Sequence, residues 1–130
     1  MGIKRTTCAG AAVILLSLPA AASAAQSFDL VREFANCTGR YSALMEHQRL
    51  LYDPASGRTE ARRNSFADLL EAVQPREAGR EVLTWRIEAK VAQAALFRAA
   101  DFATDDRTRR DAQTLADRHI AACDMLILGS

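Results

Sequence analysis

Residues that carry chemistry are scarce in this sequence. Its 130 residues include two histidines, three cysteines and one tryptophan, and no H-E-x-x-H, Glu-x-x-His, C-x-x-C or C-x-x-C-H run occurs. Zinc, di-iron, dithiol-redox and covalent-haem sites therefore lack their usual ligand spacing. No G-x-S-x-G turn and no glycine-rich phosphate loop is present, so neither a nucleophile elbow nor a nucleotide cradle can be read. The expectation is no catalytic residue, no metal and no cofactor. Six glycines and three prolines leave few breaks, and no stretch alternates apolar and polar residues as a half-buried strand would.

An excess of one charge is also missing. The chain carries 17 basic and 16 acidic residues, which gives no electrostatic footprint for nucleic acid and no polybasic patch for anionic lipid. Arginine supplies almost all the positive charge. The opening MGIKRTTCAGAAVILLSLPAAASA joins a short basic region, Lys4-Arg5, to an apolar run, a break at Pro19 and the A-x-A signal Ala22-Ser23-Ala24. That order is a secretory signal peptide. We expect residues 1–24 to be cleaved after Ala24, leaving residues 25–130 as one periplasmic domain without stable membrane association. Loss of Lys4 and Arg5 leaves 15 basic against 16 acidic residues, a net charge of −1.

Export changes the meaning of the cysteines. Cys37 and Cys123 remain after Cys8 is removed, and an even count in an exported chain reads as a disulfide. A bridged Cys37 also sets aside the Asn36-Cys37-Thr38 glycosylation sequon.

Four segments show apolar residues at helical spacing. The first, 27–52, carries Leu30, Phe34, Cys37, Tyr41, Leu44, Gln48 and Leu51 in steps of four and three, the seam of a helix packed against near-parallel neighbours. The second, 59–74, presents Phe66, Leu69, Leu70 and Val73, with Thr59 as N-cap. The third, 76–102, follows Pro75 and is expected to bury Leu83, Ile87, Val91, Ala94, Ala95 and Phe97. The fourth begins at Thr104, its expected N-cap, and presents Ala112, Leu115, Ala116, His119, Cys123 and Leu126, with Gly129 beyond its end. Short turns between four amphipathic helices predict an all-α, up-down-up-down four-helix bundle, its first and last helices joined by Cys37–Cys123.

That register sets Tyr41, one turn past Cys37, near His119, as a buried polar pair or the wall of a ligand pocket that also includes Met45. Met45 and His119 resemble in type the axial ligands of b562-type four-helix cytochromes, a remote haem alternative. His47, Trp85, Arg107 and Arg110 are the candidates for an interaction surface, although Trp85, with Val82 and Ala89 nearby, reads first as a core residue. Arg107 with Asp111 and Asp106 with Arg110 stand at i,i+4 spacing.

The runs Cys37-Thr38-Gly39-Arg40-Tyr41, Arg86-Ile87-Glu88-Ala89-Lys90 and Ala122-Cys123-Asp124-Met125 resemble those of small exported helical proteins of alphaproteobacteria. The resemblance implies the compartment and the two-cysteine helical build, and no activity. The expected function is protein–protein interaction in the periplasm, as an accessory subunit, adaptor or chaperone-like protein with an unknown protein partner. The alternative is a bundle that binds a small molecule or cofactor.

Overall fold

The computed structural model describes residues 21–128, and these are almost wholly helical, with no strand among them. Helix α1 spans Ala21–Leu50, α2 Ser56–Val73, α3 Gly79–Phe102 and α4 Asp106–Leu128, with a 3-10 turn at Arg76–Ala78 before α3. The body of the expected signal peptide and the expected C-terminal cap Gly129 lie outside the described residues.

Each boundary has a local cause. Helix α1 stops because Tyr52 turns left-handed, with φ 56°. The Asp53 amide then donates to the Gln48 carbonyl at 2.9 Å and the Tyr52 amide to the Arg49 carbonyl at 3.2 Å, closing a Schellman motif. Thr59, expected to cap α2, lies a turn inside that helix and is buried. Gln74 takes the extended conformation that a following proline favours. At the last junction Asp105, not Thr104, caps α4: its Oδ2 accepts the Thr108 amide at 2.7 Å. That bond holds the Asp105 carboxyl below the usual carboxylate range, and a carboxylate at a helix start also gains from the dipole.

Helix α1 is the hub. It lies broadly along α3 and α2, and α4 packs on α3 while touching α1 over a narrow region. Val31, Phe34, Cys37 and Tyr41 of α1 meet Phe66 and Leu70 of α2, Val82 and Trp85 of α3 and Cys123 of α4 in one buried cluster. Further along, Ala43, Phe97 and Ala116 form a second. Tyr41 stacks on Phe66 with ring centroids 5.5 Å apart. Helices α1 and α3 approach most closely at Gly39, where an added Cβ would sit 2.3 Å from the Arg86 carbonyl oxygen and 3.1 Å from the Ala89 Cβ. Only two small residues allow that approach.

The buried face of α3 differs from the expected one. Helix α3 buries Val82, Trp85, Gln93 and Phe97, whereas Leu83, Ile87 and Val91 are 53%, 53% and 58% exposed. Both sets have helical spacing, one residue or about 100° apart. The inward face carries Trp85 and Phe97, each bringing roughly 150–250 Å² of surface, and the small Ala89 that fits against Gly39. Leu30 and Leu51 at the ends of the expected α1 seam are exposed, whereas Val31 and Met45, which widen that stripe, are buried.

Candidate functional site

The disulfide forms between Cys37 and Cys123, with an S–S distance of 2.06 Å and Cα atoms 5.6 Å apart. The expected pairing of Tyr41 with His119 does not occur. The Tyr41 hydroxyl donates to Asp124 Oδ1 at 2.6 Å, and Arg62 of α2 approaches the same carboxylate at 3.6 Å. His119 instead places Nδ1 3.0 Å from Gln93 Oε1 of α3, while Gln93 Nε2 donates to the Ala116 carbonyl. The cysteines fixed the height of α4 but not its rotation. At that height Asp124 turns towards α1 and α2, and His119 towards α3.

These environments shift both titrations. Burial, reinforced by the Asp124 carboxylate, pushes the Tyr41 phenol well above its ordinary value, with Arg62 opposing weakly. Burial, with the Arg40 charge nearby, holds the His119 imidazole below its ordinary value. Met45 is buried on α1, and neither it nor His119 lines the groove described below. Among the described residues no group of three or more His, Cys, Asp or Glu side chains could hold a metal ion.

The expected interaction surface divides. Trp85 is a correction: it is 8% exposed, its ring edge-on to Phe28 at 5.3 Å and covered by Arg32 at 5.5 Å. Arg107 is exposed and pairs with Asp111 at 3.7 Å. Arg110 is exposed, but Asp106 pairs with Arg109 in its place. His47 is half-buried, its ring parallel to Phe97 at 4.6 Å and Nδ1 3.7 Å from Asp101.

His47 belongs to a surface that periodicity alone did not reveal. A groove of 360 Å³ runs between α1 and α3, walled by Glu46, His47 and Leu50 on one side and Val91, Ala94 and Phe97 on the other. A second, smaller hollow of 170 Å³ is lined by Gly39, Leu83 and Ile87 among others. Glu46 and Lys90 bridge the two helices at 2.6 Å between these hollows. Leu50, 78% exposed, extends the apolar surface at one end. The exposed α3 stripe thus borders both hollows, Leu83 and Ile87 the smaller and Val91 the larger. Such an arrangement can hold an apolar group or side chains, and no nucleophile–base pair stands in it.

The chain matches no protein-family model, no curated protein and no solved structure. The groove therefore carries the functional argument unaided. No helix among the described residues is long and apolar enough to cross a membrane.

Proposed function

We infer that this is an exported periplasmic protein that acts by protein–protein interaction, as an accessory subunit, adaptor or chaperone-like partner. One observation carries the reading: Leu83, Ile87 and Val91 stand side by side on α3, each more than half exposed, along a groove. Single exposed apolar residues are ordinary, whereas a contiguous row marks an interaction site. The signal-like opening and the disulfide support the compartment, as does the resemblance to small exported alphaproteobacterial proteins. The up-down-up-down bundle belongs to the same reading. In its support, Phe28 meets Trp85 and His47 meets Phe97, which runs α1 with α3. Tyr41 meets Phe66 and Arg49 meets Glu60, which runs α1 against α2.

The alternative, a small-molecule site, falls to the same groove, whose volume is at the lower end of the roughly 300–1,000 Å³ of ligand pockets. Haem ligation by Met45 and His119 gains nothing, since neither side chain lines either hollow. The test is size-exclusion chromatography of tagged protein from its host's periplasm, with absorbance spectra and mass spectrometry of the peak. A defined second polypeptide should co-elute with the parent and be lost from Ile87→Glu at unchanged melting temperature. A monomer without a partner, or a partner that survives Ile87→Glu, would sink the reading.

A further inference from the structure

We propose that the α1/α3 groove takes an acidic amphipathic helix of a partner protein, its apolar side chains on Leu83, Ile87 and Val91 and its carboxylates on the guanidiniums at the rim. The proposal deepens the interaction reading above and rests on it. The argument is charge complementarity on an apolar floor. Arg63 of α2, Arg86 of α3 and Lys90 line the smaller hollow, and Arg98 lines the larger groove. Lys90 is matched by Glu46. Arg63 donates to Ser42 Oγ and Asn64 Oδ1, both neutral acceptors. Among the described residues none of Arg63, Arg86 and Arg98 forms an ion pair. A protein with almost equal numbers of opposite charges thus leaves three guanidiniums without an ion pair around these two hollows. Of the acids at this surface, Glu46 is matched by Lys90 and Asp101 lies 3.7 Å from His47.

The geometry suits a helix. From Leu83 to Val91 the stripe is about 12 Å long at 1.5 Å per residue, two turns of a partner with anchors at i, i+4 and i+7. Ala43 and Ala94 line the larger groove, leaving room there for an apolar anchor. Arginine forks bind carboxylates in two places at once, which fixes the register of such a helix. A second copy of this chain is the weaker occupant, because a two-fold contact over the groove would lay one basic rim against the other.

The probe is a synthetic peptide of about 16 residues, leucines at i, i+4 and i+7 spacing and glutamates on its flanks. A control peptide carries lysine in place of every glutamate. Binding to the purified, oxidised protein is read by fluorescence anisotropy near physiological salt. The glutamate peptide should bind, the lysine peptide at least about tenfold more weakly. Ile87→Glu should abolish binding, and Arg86→Glu with Arg98→Glu should reverse the preference. Melting temperatures of these surface variants report that the fold is intact. Equal affinity for both peptides, no binding up to about 1 mM, or indifference to Ile87→Glu overturns the proposal. So does sedimentation showing a dimer that Ile87→Glu dissolves, which would make a second copy the occupant. If the peptide fails while a native partner is still lost from Ile87→Glu, protein–protein interaction stands and the acidic helix falls. If neither responds, both fall.

Discussion

Replacing Gly39 with alanine should destabilise this protein although alanine is the better helix former. An alanine Cβ at 39 would lie 2.3 Å from the Arg86 carbonyl oxygen and 3.0 Å from the Lys90 amide nitrogen. Both are backbone atoms of a helix, so no side chain can rotate aside. Relief requires α1 and α3 to separate by about 1 Å, and a gap of that size forfeits a quarter to a half of each dispersion contact it opens. Overpacking of this kind costs about 1–3 kcal/mol, and the broad α1/α3 contact with a rigid obstacle puts Gly39→Ala near the top of that range. Against it, Gly→Ala in a helix interior gains about 1 kcal/mol. The net is a loss of about 2 kcal/mol, a fall of roughly 10 °C in Tm for a domain of this size. Gly57→Ala is the control. Nothing lies within 4 Å of its added Cβ, so only the propensity gain remains, up to about 1 kcal/mol. Thermal and guanidinium unfolding of both variants, disulfide intact, measures the contrast. A Gly39→Ala protein as stable as its parent would refute the close approach.

Two further predictions concern the disulfide and Tyr41. Cys37 and Cys123 are 86 residues apart, and a loop of that length implies up to about 4.5 kcal/mol of stabilisation. The double change to alanine should shift the guanidinium midpoint far down, and adding reductant should destabilise the parent and not the variant. For Tyr41, the folded phenol holds its proton to higher pH than the unfolded phenol, which ionises near about 10. The unfolded chain therefore binds fewer protons above that pH, so stability is fully present below about pH 10 and falls as pH rises further. Tyr41→Phe should be about 0.5–1.5 kcal/mol less stable at neutral pH and show a shallower alkaline decline. Denaturant titrations at several pH values read both, and an equally steep decline in the variant would reject this role for the phenol.

Phe34, Phe66, Trp85 and Phe97 are buried, whereas the aliphatic Leu83, Ile87 and Val91 of α3 are outside. Protein interfaces use such rows as anchors when a charged rim sets orientation. The Glu46–Lys90 bridge keeps two opposite charges from disturbing the two hollows, while Arg63, Arg86 and Arg98 stay available.

The sequence by itself determined the helices, their number, the turns between them and the cysteine pairing. Those features depend on short-range information: apolar residues every three or four positions, proline at 54 and 75, aspartates at 105 and 106, and two cysteines with one way to pair. Even the shifts from Thr104 to Asp105 as a cap, and from Thr59 to Ser56 as a helix start, are local. Phe34, Cys37 and Tyr41, Phe66 and Leu70, and Ala112, Ala116 and Cys123 are buried as their spacing predicts, and tertiary structure alone decided which face of α3 looks inward. In α3, Leu83-Ile87-Val91 and Val82-Trp85-Gln93 have the same period, so the pattern could not choose between them. The choice came from Gly39 and Ala89 fitting together and from the larger area of Trp85 and Phe97. The same undetermined rotation separated Tyr41 from His119 and assigned them Asp124 and Gln93. The groove was illegible for a related reason. Its walls and rim come from α1, α2 and α3, and residues as distant in sequence as Leu50 and Val91 become neighbours only once those rotations are fixed.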